Sequence, residues 1–117
     1  MSLQEIVNGY TTATFTRSEA EERFLALVRR GGLPRPLVNA KRLGFEIDFF
    51  WPDHRVAVEI DGFAFHGTRD RFEDDRRRDA RLRQAGITVI RVTWRQLQRE
   101  SEAVLVDVAQ ALARAAR

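Results

Sequence analysis

The stretch FEIDFFWPDHRVAVEID, residues 45–61, contains two apolar segments separated by a short polar turn. The segments Phe45–Trp51 and Arg55–Ile60 are rich in the aromatic and β-branched residues that favour strands. Pro52 and Asp53 lie between them and are typical turn residues, so the two segments are predicted to form an antiparallel hairpin. The second segment is apolar on both faces over most of its length, which is the pattern of a central strand.

The residues before this hairpin predict a helix followed by a third strand. Thr16 and Ser18 each begin a capping-box pattern, with a glutamate three residues later, and either one can begin a helix that runs to about Arg30. Gly31-Gly32 then ends the helix. The strand Leu37–Arg42 follows, and a short turn joins it to the hairpin.

The residues after the hairpin predict a crossover. A helix from about Arg69 to Ala85 separates the hairpin from the strand Ile87–Thr93, and a unit of this length implies a right-handed connection with parallel pairing. Thr93 to Arg99 is predicted to be a turn or short helix, and Glu102–Ala116 an amphipathic helix. The predicted class is therefore α/β, with a mixed sheet in the order helix, three antiparallel strands, helix, parallel strand, helix.

The composition excludes several classes of protein. The chain of 117 residues has no cysteine, which excludes a disulfide scaffold and a thiolate metal site. No apolar run approaches the roughly 20 residues of a membrane span and no signal peptide is evident, so a cytoplasmic protein with no membrane partner is predicted. Residues 1–15 are interpreted as an arm and residues 16–117 as one domain. The net charge of +3 is compatible with a phosphate-backbone partner. The oligomeric state stays open, with a homodimer among the options.

The candidate functional residues are carboxylates at apolar positions. Asp48 lies within FEIDFFW, and Glu59 and Asp61 end RVAVEID. Such groups are rarely placed among apolar residues unless they are paired, and the predicted hairpin brings Asp48 and Glu59 close together. A divalent cation between them would relieve their repulsion, and an oxygen-only site favours Mg²⁺ or Mn²⁺. A second interpretation treats the acids as structural ion pairs with Arg55, Arg91 and Lys41.

Two further residues are candidates near the same site. Glu21 lies on the apolar stripe of the first helix and offers a third carboxylate, although an acid near a helix N-terminus is also favoured by the helix dipole. His66 follows Asp61 closely in DGFAFHG, where it can act as a general acid or base or bind a phosphate oxygen.

The helix from Arg69 carries many arginines, and most of them are predicted to cover a solvated surface. Asp75 and Arg78 are the exceptions, interpreted as holding the histidine or a backbone phosphate. Arg76 and Arg78 are candidates for nucleic-acid contacts, since arginine binds phosphates with two N–H groups at once.

An acid on one strand, a tight turn and an acid-x-acid at the end of the next strand resemble the core of the PD-(D/E)XK nucleases, a restriction-endonuclease-like fold. VEIDGFAFHG further resembles the very-short-patch-repair endonucleases and the bacterial proteins grouped with them. The matching positions run in the order Glu21, Asp48-Phe49, Glu59-Ile60-Asp61-Gly62, His66, Asp75, Arg78, Leu82, Gly86, Val89 and Arg91. The resemblance covers about residues 16–112. It implies that Asp48 is a metal ligand, that Glu59 or the Ile60 carbonyl is another, and that His66 lies near the scissile phosphate.

The sequence departs from this pattern at one catalytic position. Asp61 stands where the PD-(D/E)XK motif has lysine, and a carboxylate cannot donate to a phosphate as lysine does. Asp61 is left with two options, binding a second metal or orienting water. The cysteines of the patch-repair zinc site have no counterpart, so mismatch recognition is not expected.

The resemblance implies a metal-dependent endonuclease that hydrolyses phosphodiester bonds in DNA, in repair or defence. The alternative is an inactive nuclease-fold module that binds DNA or regulates a bacterial defence or toxin–antitoxin protein. Such a module should bind no divalent metal.

Overall fold

The structure, a computed structural model, describes residues 16–61 and 69–116. Within these residues, four helices and four strands follow the predicted order, with bounds that differ from the predicted ones by at most one residue. The helices are α1 (Arg17–Arg30), α2 (Arg69–Gln84), α3 (Trp94–Arg99) and α4 (Ser101–Ala115). The strands are β1 (Leu37–Arg42), β2 (Phe45–Trp51), β3 (Val56–Asp61) and β4 (Thr88–Thr93). The arm at residues 1–15 lies outside the described residues.

The start of α1 shows which of the two capping boxes forms. The Thr16 hydroxyl accepts a hydrogen bond from the Glu19 amide at 3.0 Å, and the Glu19 carboxylate accepts one from the Thr16 amide at 2.7 Å. Ser18, the other candidate, lies inside the first turn. The helix ends at Gly31, and Gly32 follows with a φ of +70°, in the left-handed region that glycine adopts without steric cost.

The sheet has the mixed topology that the sequence predicts. Its strand order is β1-β2-β3-β4, with β1 and β3 antiparallel to β2 and with β4 parallel to β3. The segment RVAVEI therefore forms an interior strand, as its apolar character on both faces indicates.

Helices cover both faces of this sheet. On one face α1, α3 and α4 pack against β2, β3 and β4, and the stripe predicted for α4 is buried there, namely Val104, Val108, Ala111 and Leu112. On the other face α2 contributes the fully buried Leu82 to a smaller apolar cluster with Ile47, Phe50, Ala57 and Ile87. The α1 face therefore carries the larger core. Among the described residues, no helix is both long and apolar enough to cross a bilayer.

Candidate functional site

The pairing of the strands breaks at Asp48. Residues two apart on a regular strand share a face, yet Phe49 belongs to the core on the α1 face and Ile47 to the cluster on the α2 face. Asn39 lies opposite Asp48 in the register of β1 and β2, and its φ of +54° is in the left-handed region. Asparagine adopts this region more readily than other non-glycine residues do. The local twist therefore involves both strands and sets the position of the Asp48 side chain.

At this break the Asp48 carboxylate, and not a backbone carbonyl of β2, accepts the hydrogen bond from a β3 amide. The last residue pair between β2 and β3 before the break is Phe49 with Val58. Beyond it, the Asp48 Oδ2 atom accepts a hydrogen bond from the Ile60 amide at 2.8 Å. One carboxylate oxygen of Asp48 is thus fixed against β3, while Oδ1 has no part in that bond.

Asp48 opens onto a pocket of about 350 Å³ on the α1 face. Glu21 from α1 and Ile60 from β3 also line it, together with Arg17, Ala20 and Phe49. Three of the residues predicted for the metal site therefore border one cavity. Glu21 reaches it from the half-buried side of α1, whereas the neighbouring Glu22 is exposed.

Arg17 and Asn39 connect the acids of this pocket. The Arg17 Nη2 atom lies 3.0 Å from the Glu46 Oε1 atom and 3.5 Å from the Asp48 Oδ1 atom, and it donates to the Asn39 Oδ1 atom at 2.9 Å. The Asn39 side chain in turn donates to the Glu21 Oε2 atom at 2.9 Å. A guanidinium and an amide therefore link the carboxylates of Glu46, Asp48 and Glu21.

Glu59 faces the other side of the sheet. Val58 and Ile60 pack with the core on the α1 face, so the side chain between them points toward α2. There the Glu59 Oε2 atom pairs with the Arg78 guanidinium, whose Nη2 atom also donates to the Glu46 carbonyl at 2.6 Å. Glu59 is only 5% exposed, so this ion pair is largely shielded from solvent. Continued by one residue, the register of β2 and β3 would place Asp48 opposite Glu59, but their carboxylates have different partners. Asp48 contacts Ile60 and Arg17, whereas Glu59 pairs with Arg78.

The ion-pair network extends from Arg78 to Asp61. The buried Asp79 lies 3.4 Å from Arg78 and accepts from the Arg91 Nε atom at 2.9 Å. The Arg91 Nη1 atom lies 3.3 Å from the Asp61 Oδ2 atom. The acid at the position of the motif lysine is therefore neutralised by an arginine from β4. The interpretation of the acids as structural ion pairs identified Arg91 correctly but did not name Arg17 or Arg78, and Arg55 instead donates to the Ala85 carbonyl at 3.3 Å.

Burial raises the pKa values of both acids predicted as metal ligands. The pKa of Asp48 is raised chiefly by the loss of water, against the Ile60 amide and Arg17, which favour the charged form. The pKa of Glu59 is raised for the same reason, against Arg78, and Asp48 raises it further. Acids with shifted pKa values beside a cavity are typical of functional sites, although structural ion-pair networks also shift pKa values.

The raised pKa of Asp48 predicts a dependence of stability on pH. When folding raises the pKa of a carboxyl group, the free energy of unfolding falls as pH rises above the ordinary pKa of that group, which is 3.8 for Asp48. We therefore expect Asp48→Asn to be more stable than the wild type in metal-free buffer at pH 7, with a difference that shrinks as pH falls through the raised pKa of Asp48 and vanishes below its ordinary pKa of 3.8. Urea unfolding at several pH values measures this difference. A variant that is less stable at pH 7, or equally stable at every pH, would show that burial does not penalise the Asp48 carboxylate.

The donor chemistry of the pocket fits a small divalent cation. Glu21 and Asp48 offer carboxylate oxygens, and Mg²⁺ is usually bound by one or two carboxylates with waters and substrate phosphates completing its shell. Within residues 16–61 and 69–116, no three acidic or histidine side chains converge closely enough to form a complete metal cage. Glu59 points toward α2, pairs with Arg78 through Oε2 and does not line this pocket.

The other predicted site residues are placed as follows. His66 lies outside the described residues. Asp75 is half-buried on α2 and Arg76 is exposed, whereas Arg78 is largely buried in the ion-pair network. On α2 it is Asp79, one turn beyond Asp75, that contacts β4.

Sequence reasoning missed Arg17, Asn39 and Asp79. The spacing of Asp79 from Leu82 on the inner side of α2 was a usable signal, because an acid there needs a partner. The sequence gives no comparable signal for Asn39 and Arg17, because their contacts depend on strand register and on how α1 packs against the sheet.

Two relatives of known sequence are uncharacterized proteins of Mycobacterium tuberculosis, MT2308 of strain CDC 1551 / Oshkosh and Rv2248 of strain H37Rv. Each is 28% identical to this chain over 102 residues, which cover 83% of the chain and 37% of the relative. The chain thus spans little more than a third of the length of these relatives.

Among solved structures, the fold is similar to that of the homing endonuclease I-Bth0305I catalytic domain. The TM-score is 0.68 with 15% sequence identity, over 81% of this chain and 94% of that domain. At this identity the similarity establishes the fold alone, and the fold is that of the PD-(D/E)XK-like nucleases. The family model REase_MTES_1575 matches residues 21–112, a range that includes all four strands and the pocket residues Glu21, Asp48 and Ile60. This chain therefore belongs to the restriction-endonuclease-like family REase_MTES_1575.

Proposed function

We propose that this protein is a metal-dependent endonuclease that hydrolyses phosphodiester bonds in DNA. The observation that carries the proposal is the pocket in which Asp48, Glu21 and Ile60 meet at the break between β2 and β3. The family and the nuclease fold support a nuclease function. The pocket supplies what that function needs, which is a pair of carboxylates beside an open cavity.

Asp48 and Glu21 are the residues that would hold Mg²⁺ or Mn²⁺. When bound, such a cation polarises a phosphate oxygen and lowers the pKa of a water molecule, which is the usual route to phosphodiester hydrolysis. The Ile60 amide holds one oxygen of Asp48 in place, so that the other oxygen is presented to the pocket in a fixed direction. The Ile60 carbonyl and Glu59 remain proposed ligands, as the resemblance implies.

The remaining proposed roles concern the nucleic acid. His66 is proposed to transfer a proton at the scissile phosphate, and Arg76 to contact the backbone from the exposed side of α2. Arg78 supports the site through Glu59 in this structure, so a phosphate contact by Arg78 would require it to leave that pair. Asp61 is proposed to orient water, with Arg91 holding its carboxylate. Closer kinship with the very-short-patch-repair endonucleases, a cytoplasmic location and a homodimer stay predictions.

A direct assay tests the proposed function. The protein is incubated with supercoiled plasmid and with single-stranded DNA in Mg²⁺, in Mn²⁺ and in EDTA. Nicking or cutting that requires the metal is expected. If neither DNA nor RNA is cut with any divalent metal, the catalytic proposal is wrong.

One observation favours the alternative of an inactive DNA-binding or regulatory module. Glu59 and Asp61, at the two motif positions of β3, are both neutralised by arginines of the protein itself. A protein of this kind would bind DNA without cutting it and would take up no divalent metal. Calorimetric titration with Mn²⁺ separates the two functions, because only the nuclease requires binding.

A further inference from the structure

Arg17 lies among three carboxylates at the edge of the metal pocket. Its guanidinium is 3.0 Å from Glu46, 3.5 Å from Asp48 and 3.9 Å from Glu21. The Arg17 guanidinium is thus an ion-pair partner of all three carboxylates. The two acids that line the pocket, Asp48 and Glu21, are also the proposed ligands of the cation.

The position of Arg17 lets its side chain leave these acids. Arg17 is the first residue of α1, and its side chain is 56% exposed. Each of its ion pairs is therefore weak, because water screens the charges. Arg78 differs in this respect, since its side chain is only 16% exposed within a buried network. A divalent cation could therefore displace the exposed guanidinium of Arg17 far more easily than the buried one of Arg78.

The charge at the pocket makes Arg17 and a metal ion competitors. A divalent cation beside Asp48 would be repelled by a guanidinium that stays within 4 Å of the same carboxylates. A carboxylate oxygen that accepts from arginine is also less available as a ligand. Among the described residues, Arg17 is the basic side chain that lines this pocket.

We propose that Arg17 is a displaceable internal counterion, which neutralises Asp48, Glu46 and Glu21 in the metal-free protein and must give way when a divalent cation binds. This inference rests on the proposed function, because it assumes that the pocket takes a metal. Its consequence is that Arg17 weakens metal binding. The pocket would then take up metal only at concentrations high enough to displace the arginine.

Titration calorimetry of the full chain with Mn²⁺ tests this proposal. We expect Arg17→Gln to bind Mn²⁺ on the order of tenfold more tightly than the wild type, because one positive charge close to the ligands is removed. Arg17→Lys, which keeps the charge, should stay closer to the wild type. Arg29→Gln is the matched control, since it removes the same charge from an exposed position of α1 in its last turn, and it should bind like the wild type.

A second measurement does not depend on the heat of binding. The rise in melting temperature that saturating Mn²⁺ produces should be larger for Arg17→Gln than for the wild type, because tighter binding to the folded state stabilises it more. This comparison also shows that the variant is folded.

Each outcome decides the proposal. Tighter binding by Arg17→Gln, including binding where the wild type shows none, supports it. Equal or weaker binding by Arg17→Gln overturns it but leaves the proposed function in place, because the wild type then binds the metal. If neither protein binds Mn²⁺, both the counterion role and the metal-dependent function are wrong.

Discussion

Asp48→Ala is expected to reduce metal-dependent cleavage of plasmid DNA by about a hundredfold to a thousandfold. A bound metal contributes several kcal/mol of transition-state stabilisation, and each 1.36 kcal/mol corresponds to about a tenfold change in rate. Asp48 is chosen because its carboxylate lines the pocket and the Ile60 amide fixes one of its oxygens. Initial rates of nicking at saturating Mg²⁺ or Mn²⁺ measure the effect.

Asp53→Ala is the matched control for Asp48→Ala. It removes the same charge from an exposed turn five residues further along the chain and should cut at the wild-type rate. Far-ultraviolet circular dichroism and thermal unfolding check that both variants are folded. If Asp48→Ala cuts as fast as Asp53→Ala, the hydrolysis does not depend on this pocket.

Arg78→Met is expected to cost about 3 kcal/mol in the free energy of unfolding at neutral pH, since breaking a buried pair leaves one charge uncompensated. Methionine keeps much of the length of the side chain but leaves Glu59 buried without its guanidinium. The cost should fall in acid, where Glu59 takes up a proton and its burial is no longer penalised. Urea unfolding measures the change.

Two further variants show whether the Glu59 charge is the cause. Arg78→Met combined with Glu59→Gln should recover much of the lost stability, because the uncompensated charge is removed together with its partner. Arg77→Met is the control, since Arg77 pairs with Asp74 on the exposed side of α2 and such pairs contribute at most about 1 kcal/mol. An Arg78→Met protein as stable as Arg77→Met would mean that the buried pair contributes little to folding.

Most of the fold could be predicted from the sequence because its signals are local. Alternating and continuous apolar segments identify the strands, and Gly86 ends α2 in the left-handed conformation, with a φ of +85°. The short turn at Pro52-Asp53 allows only an antiparallel hairpin, whereas the helix between β3 and β4 allows a parallel pair. The local sequence does not distinguish Thr16 from Ser18 as the N-cap of α1, because both residues satisfy the capping-box pattern.

The candidate site was predicted less completely because it depends on a departure from regular strands. A regular hairpin would make Asp48 and Glu59 direct neighbours, and it therefore predicts that they form a metal pair. The twist at Asn39 and Asp48 instead turns Asp48 toward α1, while Glu59 stays on the α2 face with Arg78. An asparagine within a strand segment is compatible with such a twist, but the residue alone does not fix the backbone conformation or the direction of Asp48.

The central claim is that the pocket of Asp48 and Glu21 binds a divalent cation, and a crystal soaked in Mn²⁺ tests it most directly. The expected result is an anomalous density peak in that pocket, at about 2.1 Å from an oxygen of Asp48, the distance at which oxygen ligands hold a small octahedral cation. Density for Mn²⁺ elsewhere on the molecule, with none beside Asp48, would contradict the claim.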